Sequence, residues 1–373
     1  MGSNNLKLTS KSSFFLFLFC SVFSINSLPV NPVYLVGFSL LFLSIFYINF
    51  SKINKYQLLM FFYFIVSMIG FSIGIISFSE IDKNVILLSS ILYCYCILLG
   101  AQTVRLGLIT KKIDRLRVYS FFYNFLIFFM FLDLIVRVLM SGGSGTFYDF
   151  KWGLFYLDSN FSALIILLFI MFSVFLKVNK IYDVGLIRFL ILIFLLITTF
   201  SRAAIFAFFI SYLLLRYTKK IIIYLAMVFG LALVYLFYKM VSMYLSGESF
   251  VEIDGSFNSK FYLISVAIDN YAGLPLINKF FGIGMANFPY FSDGIFAHNM
   301  LITLFYEFGY FGILFFIIYI CLSYKMIGKD ILYILIPFFV AGFSLFSAFM
   351  PFFFILLACM YVEKKSPNGL RNE

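Results

Sequence analysis

The chain has 373 residues, of which 64% are hydrophobic and 12% are charged. Soluble domains average roughly 45–50% apolar and about 25% charged residues, so this composition excludes an ordinary soluble protein. The net charge of +11 is of the size seen in nucleic-acid-binding proteins, but the positions of the basic residues indicate membrane topology instead.

Continuous apolar runs of about 20 residues recur along the whole chain, and runs of this length predict membrane-spanning helices. The strands of a membrane barrel need only about 10 residues of alternating character. We therefore predict one all-α polytopic transmembrane bundle over 1–373, with about 12 spans. The predicted spans are 14–28, 33–50, 57–78, 85–108, 118–140, 160–176, 186–200, 203–215, 221–245, 298–324, 331–346 and 352–362. The first run follows Lys7 and Lys11 and has no signal-peptide cleavage site after it, so we interpret it as a span.

The basic residues predict which side of the membrane each loop faces, because Lys and Arg accumulate in short cytoplasmic loops. If both termini are cytoplasmic, few of the 27 Lys and Arg residues lie at the outer side or in the outer half of the membrane. Those few are Lys83, Arg137, Lys151, Arg202, Lys239, Lys260 and Lys279. The opposite orientation would put most of the positive charge outside. The sequence therefore predicts cytoplasmic N- and C-termini and no surface for nucleic acid.

Two of the predicted outer loops are long, and functional residues concentrate on such loops. Residues 141–159 are Gly-rich and contain Trp152, the only tryptophan, while 246–297 form the largest polar segment. Within the larger loop, the spacing of apolar residues over 257–271 predicts an amphipathic helix that lies on the membrane surface. The apolar side chains at helical spacing are Phe257, Phe261, Ile264, Ile268 and Tyr271.

The sequence contains no motif typical of a metal or nucleotide cofactor: GxxxxGK[ST], GxGxxG after a strand, HExxH and GxSxG are all missing. The cysteines lie within apolar runs and have no redox or zinc-binding spacing. Glu80 with Asp82, and Glu252 with Asp254, resemble carboxylate pairs that hold a divalent metal, but such pairs are frequent by chance. We therefore expect no cofactor.

Residues 281–312 are the segment in which a Gly-rich turn, the only histidine and the start of a long apolar helix meet. A neutral imidazole at His298 is suited to take a proton from a hydroxyl group, and the alternative is a histidine that only hydrogen-bonds a neighbouring loop. Asn299 follows it directly. Glu307 would lie ~13 Å deeper on the opposite helix face, so we expect it to face the bundle interior in a hydrogen-bonding role.

Several outer cations are candidates for binding an anion. Arg202 lies in a tight hairpin between two spans, where an Arg indicates an anionic partner, although an interfacial Arg that reaches the lipid headgroups is the commoner case. Asp133 and Arg137 share one helix face and are placed to form an ion pair. Lys260 and Lys279 lie in the large loop, where the simpler interpretation of each is a solvated charge.

Two segments, SRAAIF from Ser201 and GIGMANF…AHNMLITLFYEFGYFG from Gly282, resemble in order and spacing the O-antigen polymerase/ligase superfamily. The resemblance covers 186–322. It implies a bacterial inner-membrane glycosyltransferase that acts without metal on glycans linked to undecaprenyl diphosphate. Members of the family often have an Arg at the entry of the outer amphipathic helix. Lys260 stands there in this chain, and it neutralises charge but cannot clamp a diphosphate with two parallel hydrogen bonds.

The resemblance also implies roles for individual residues. His298 would act as general base or orient the acceptor, and Asn299 would hydrogen-bond the imidazole or a sugar hydroxyl. Arg202 and Lys260 would stabilise the departing diphosphate, which gathers negative charge in the transition state. Weaker candidates for substrate binding are Arg137, Lys279 and Glu307.

The function that we predict is polymerisation of O-antigen repeat units at the periplasmic face of the inner membrane, with a chain-length regulator protein as an expected partner. A ligase that transfers glycan to lipid A-core, and a capsule or exopolysaccharide polymerase, use the same residue types and stay open. The loop 141–159 lacks the Arg described for polymerases. A flippase for the same lipid-linked sugars would show two related halves and charges along the middle of several helices. A receptor-like or structural protein would show no effect of His298 on glycan length.

Overall fold

The computed structural model describes 11–16, 18–20, 32–45, 53–141, 149–151, 153, 158–216, 255–343 and 351–365, together with Tyr235, Lys239 and Ser242. The structure is 82% helical, and these residues include no strand. The all-α prediction is confirmed for this part of the chain. Trp152, the predicted span 221–245 apart from Tyr235, Lys239 and Ser242, and the pair Glu252 and Asp254 lie outside the described residues.

The helices are numbered in chain order from the N-terminus. They are α1 Pro32–Ile45, α2 Lys55–Ser79, α3 Leu88–Ile109, α4 Lys112–Met140, α5 Ser159–Val178, α6 Leu186–Ile197, α7 Arg202–Arg216, α8 Gly255–Tyr271, α9 Leu276–Phe281, α10 Met300–Ile327, α11 Leu332–Gly342 and α12 Pro351–Lys365. Within α10, Thr303–Phe308 is a π-helix.

Five of these helices, α2 to α5 and α10, are long and apolar enough to cross a membrane, and α6 and α7 are shorter apolar helices. The chain is therefore a helical membrane protein. The predicted total of about 12 spans is not confirmed by the described residues. The 11 residues of α11 would extend only about 16 Å, which is well short of a hydrocarbon core of about 30 Å.

The helix α5 forms the centre of the bundle. Every residue from Ser162 to Ser173 is buried, as expected of a helix that is apolar on all sides. The helix α11 packs on α5 and on α7, α3 packs between α2 and α12, and α10 packs on α2. Ser159 at the start of α5 donates to the carbonyl of Thr199 before α7, and Asn299 at the start of α10 donates to the carbonyl of Phe343 after α11. At the other end, Lys364 contacts both Asp330 before α11 and Asn179 after α5. The starts of α5, α7 and α10 therefore lie at the same end.

One end of the bundle is closed by a buried ion pair, and we call it the Arg115 end. Arg115 Nε lies 2.7 Å from Glu363 Oε1, and Nη2 lies 3.2 Å from Oε2. Arg115 Nη1 donates to the carbonyls of Gly107 (3.0 Å) and Thr110 (2.7 Å), and the hydroxyl of Tyr119 donates to Glu363 (3.0 Å). The pair thus joins the end of α3, the start of α4 and the end of α12.

The opposite end, which we call the His298 end, holds the starts of α5, α7 and α10 and the end of α11. The orientation predicted from the basic residues places this end outside the cytoplasm.

Candidate functional site

Three glycines bring the turn after α9 into backbone contact with α2 and α10. A Cβ atom at Gly74 would lie 2.3 Å from the Gly282 carbonyl oxygen, one at Gly282 would lie 2.3 Å from the Glu307 carbonyl oxygen, and one at Gly309 would lie 2.3 Å from Gly282 N. Gly282 and Gly309 also have positive φ values, of 79° and 64°. Only glycine fits such contacts, so these residues fix the turn rigidly against two helices.

Hydrogen bonds hold the same turn from both sides. The π-helix Thr303–Phe308 shifts the helical hydrogen-bond register, and the carbonyl of Tyr306 accepts from the N–H of Ile283 (2.8 Å). The side-chain oxygen of Asn287 accepts from the N–H of Ile86 (2.7 Å), and its amide donates to the carbonyl of Ile86 (3.1 Å). The turn is therefore fastened to α10 and to the segment before α3.

The carboxylate of Glu307 hydrogen-bonds to the backbone of this turn. Its side chain is buried, with 4% of its surface exposed, and a carboxylate oxygen accepts from the N–H of Phe288 (3.4 Å). A carboxylate inside a membrane is costly unless it has such partners. The structure gives Glu307 the interior position that the sequence predicts, and a role in substrate binding stays a prediction.

The helix α8 lies over the turn and buries part of its surface against protein. Phe261, Leu263 and Ala267 are buried, whereas Ile268 is 52% exposed. The hydroxyl of Tyr306 donates to the carbonyl of Ala267. The helix agrees with the sequence prediction, and its buried side chains pack on the turn and on α10. Contact of its other apolar side chains with the membrane surface stays a prediction.

Asn299 fixes the start of α10 and, with it, the position of His298. Its Oδ1 accepts from the N–H groups of Leu301 (2.8 Å) and Ile302 (3.4 Å), and its Nδ2 donates to the carbonyl of Phe343 (3.0 Å) after α11. Sequence reasoning assigned this amide to the imidazole or a sugar, and the structure gives it to backbone groups. His298 has φ of 44°, an unusual value for a residue with a side chain that occurs where the surrounding structure imposes it.

The imidazole of His298 is partly buried. Burial lowers the pKa of His298 below its ordinary value; the charge of Asp158 opposes this shift and that of Lys260 adds to it. Because the net shift is downward, the neutral imidazole predominates at pH 7, and this is the form that accepts a proton. Among the predicted site residues, Lys260 is therefore the one whose charge acts on the pKa of His298.

Asp158 is the site residue that sequence reasoning missed. It is the N-cap of α5: its Oδ1 accepts from the N–H of Asn160 (2.9 Å), and its Oδ2 accepts from Asn160 Nδ2 (3.0 Å). The signal that was available is an Asp placed directly before a long apolar run, which is typical of an N-cap. That signal predicts the helix start but does not predict the proximity to His298.

The hairpin that carries Arg202 is held by side chains of α4 and α5. Arg137 Nη1 donates to the carbonyl of Thr198 (3.0 Å), and the hydroxyl of Ser159 donates to the carbonyl of Thr199 (3.0 Å). Arg202 follows as the exposed first residue of α7. The carbonyls of Thr198 and Thr199 therefore each accept from a side chain of a neighbouring helix, and Arg202 follows a turn that these hydrogen bonds hold in place.

Arg137 is buried in this arrangement rather than open to a ligand. Its Nε lies 3.1 Å from Asp133 Oδ2, and the two side chains are 1% and 0% exposed. The predicted ion pair on α4 is therefore present. Within the hairpin, Phe200 has φ of 53°. The hydroxyl of Ser201 is buried and has no hydrogen-bond partner in the part of the chain that the structure describes.

Arg202 and His298 lie at the same end of the bundle, because the hairpin before α7 contacts the start of α5 and Asn299 contacts the end of α11. Lys279 lies on α9, and its Nζ donates to the carbonyl of Ala272 (2.8 Å), directly after the helix that carries Lys260.

The fold and this site define an all-helical membrane protein with a neutral histidine and cations gathered at one end. The sequence matches no protein-family model, and no curated protein sequence matches it significantly.

Proposed function

We propose that the protein is a glycosyltransferase that joins repeat units carried on undecaprenyl diphosphate, the activity of an O-antigen polymerase. The observation that carries the proposal is the partly buried, neutral His298 at the end of the bundle where the Arg202 hairpin is anchored. A base and cations at one membrane interface suit a reaction that deprotonates a hydroxyl and releases a diphosphate.

The reaction that we propose is a displacement at the anomeric carbon of the lipid-linked glycan. The hydroxyl oxygen of the acceptor sugar forms the new C–O bond, while the bond from the anomeric carbon to the diphosphate oxygen breaks. His298 takes the hydroxyl proton, and undecaprenyl diphosphate leaves with the electron pair. The atoms balance without an oxidant, a reductant or a further reactant.

The cations have different parts in this proposal. The departing diphosphate gathers negative charge, and cations placed before the reaction stabilise that charge at little cost of reorganisation. Arg202 suits this part because it is exposed on a fixed hairpin. Lys260 contributes twice, since its charge both favours the neutral imidazole and attracts the diphosphate. Arg137 would act through the hairpin, because it is buried beneath it.

The nearest alternatives are a ligase that transfers finished glycan to lipid A-core and a polymerase of capsule or other exopolysaccharide. Each uses the same attack by a hydroxyl and the same leaving group. A flippase for the same lipid-linked sugars is the alternative of a different class, and it needs no base at His298.

The test replaces His298 or Arg202 by Ala in the native host and compares lipopolysaccharide on gels. A polymerase that has lost its base leaves core with a single repeat unit. A ligase leaves core without a repeat unit while polymer accumulates on the lipid carrier. Arg117→Ala is the matched control, because Arg117 is 70% exposed at the Arg115 end and should leave the ladder unchanged.

An unchanged ladder in both His298→Ala and Arg202→Ala, with the protein at normal level in the membrane, would exclude polymerase and ligase together. Loss of a capsular polymer with an intact lipopolysaccharide ladder would move the proposal to the capsule polymerase.

A further inference from the structure

A groove runs between α4 and α6 on the exposed surface of the bundle. Its volume is about 500 Å³, which lies within the range of roughly 300–1,000 Å³ typical of small-molecule sites. The walls are residues of α4 between Asn124 and Ile135, together with Arg188 and Ile191 of α6. Phe128 and Ile135 are 62% and 51% exposed, so this part of α4 faces the membrane.

The polar side chains of the groove lie at one of its ends. Arg188 is in the first turn of α6 and contacts Ser120 near the start of α4, so Arg188 and Asn124 both lie toward the Arg115 end. From Asn124 the α4 wall is apolar as far as Ile135, which is a rise of about 16 Å along the helix. That length is close to half of a hydrocarbon core of about 30 Å. The groove thus combines a cationic end with an apolar length of one membrane leaflet.

The guanidinium of Arg188 is oriented by the protein, but its charge is not neutralised there. Its Nη1 donates to the hydroxyl of Tyr182 (3.1 Å), and to Ser120 Oγ and the Val184 carbonyl at 3.5 Å each. All three acceptors are uncharged. Among the residues that the structure describes, no carboxylate pairs with Arg188, and its Nε and Nη2 have no acceptor. Two nitrogens of a fixed guanidinium are the donors that a phosphate group binds in parallel.

We propose that this groove binds an anionic glycerophospholipid, with the phosphate on Arg188 and one acyl chain along the apolar wall toward Ile135. A molecule that is charged at one end and apolar over about 16 Å matches both the charge and the length of the groove. The exposed amide of Asn124 supplies donors for the oxygens between phosphate and chain. The predicted orientation places this end in the cytoplasmic leaflet, where anionic lipids concentrate. The inference does not depend on the proposed function, which acts at the opposite end.

Other occupants of the groove make different demands on it. A helix of the same length and about 10 Å diameter occupies about 1,250 Å³, more than twice the volume of the groove. The lipid-linked glycan of the proposed reaction would bind at the His298 end. A lipid that only surrounds the helices would show no preference for its headgroup, because an Arg at this depth reaches any headgroup. Headgroup preference, and its dependence on both ends of the groove, therefore separates these occupants.

The first experiment measures lipid binding to delipidated full-length protein by native mass spectrometry. The probes are dioleoyl phosphatidylglycerol and dioleoyl phosphatidylcholine, which have the same chains and differ in headgroup charge. The wild type should bind phosphatidylglycerol ~10-fold more tightly, and Arg188→Gln should remove this preference, because a hydrogen bond to a charged group contributes about that much. Arg117→Gln is the matched control, since Arg117 is 70% exposed at the same end and does not line the groove.

Equal binding of the two lipids by the wild type would overturn the proposal, and so would a full preference in Arg188→Gln. Arg188→Lys keeps the charge and loses the parallel donors, so it should show an intermediate preference. If Arg188→Gln fails to fold, Arg188→Lys decides the question, and a preference equal to that of the wild type would count against the proposal.

The second experiment blocks the apolar end of the groove and leaves Arg188 intact. Ile135→Trp should weaken binding of phosphatidylglycerol at least ~5-fold, because the larger side chain takes the space of the acyl chain. Ile317→Trp is the control, since Ile317 is 52% exposed on α10 and should leave binding unchanged. Binding by Ile135→Trp that equals the wild type would show that the lipid is held elsewhere.

A competition with undecaprenyl phosphate tests the carrier lipid as the occupant. Phosphatidylglycerol should stay bound to the wild type when undecaprenyl phosphate is added at equal concentration. Its displacement would assign the groove to the carrier lipid and overturn the phospholipid proposal. The glycan ladder is not a readout in these experiments, so their failure would leave the proposed function in place.

Discussion

At the scale of single residues, the site depends on backbone positions that side chains do not usually adopt. His298 and Phe200 both have positive φ, and each directly precedes a segment fixed by hydrogen bonds at a helix start. Strain of this kind costs of order 1–3 kcal/mol per residue and persists where the surroundings impose it. Here the cap formed by Asn299 and the donors to the hairpin carbonyls impose it, and they hold the residues proposed to react.

A first prediction concerns Asn299, whose amide serves only backbone groups in the described structure. Asn299→Ala should lower stability by ~1 kcal/mol through loss of the cap and reduce activity, because His298 loses its fixed position. Asn299→Asp keeps the acceptor for Leu301 and Ile302 and loses the donor to Phe343, so it should retain more of both. Thermal unfolding in detergent and the polymer ladder measure the two effects. Equal loss in the two variants would contradict the capping role.

At the scale of elements, α10 departs from a regular helix at the place where the turn docks. The π-helix Thr303–Phe308 and the positive φ of Gly309 direct the carbonyls of Tyr306 and Glu307 toward the turn. The EFG sequence at 307–309 therefore matters for the backbone contact with GIG at 282–284. The partner of Gly309 in this contact is the turn rather than a second helix.

A second prediction tests that contact. Gly309→Ala should lower stability by about 3 kcal/mol or more, because the new Cβ would lie 2.3 Å from Gly282 N at a backbone conformation that alanine disfavours. Gly273→Ala is the control, since its Cβ would meet its nearest neighbour at 3.6 Å, and it should cost below ~1 kcal/mol. The readout is the thermal midpoint in detergent. Similar midpoints in the two variants would refute the contact.

At the scale of the whole molecule, the charged residues are buried and paired at one end of the bundle and more exposed at the other. The Arg115 end is closed by an ion pair in which each guanidinium nitrogen has an acceptor within 3.2 Å. The His298 end holds an exposed Arg202 and a partly buried His298. The first arrangement fixes three helices together, and the second leaves a guanidinium exposed.

A third prediction tests whether the buried ion pair stabilises the protein more than an exposed ion pair does. Glu363→Gln leaves Arg115 buried without its counter-charge, which should cost about 3–5 kcal/mol. Arg117→Gln removes an exposed ion pair of 3.9 Å to Asp114 on the same helix and should cost at most ~1 kcal/mol. Thermal unfolding measures both, and a small loss in Glu363→Gln would show that the pair does not hold the bundle.

The sequence by itself determined the all-helical membrane class and the approximate start and end of most described helices. These follow from the length of apolar runs and from local signals such as the glycines at 282 and 309. The tertiary structure alone decided which residues meet: Ser159 with Thr199, and Arg115 with Glu363. These pairs are 40 and 248 residues apart. A membrane helix is apolar on most faces, so its periodicity does not tell which face meets a neighbour, and only the packed order of helices brings distant polar residues together.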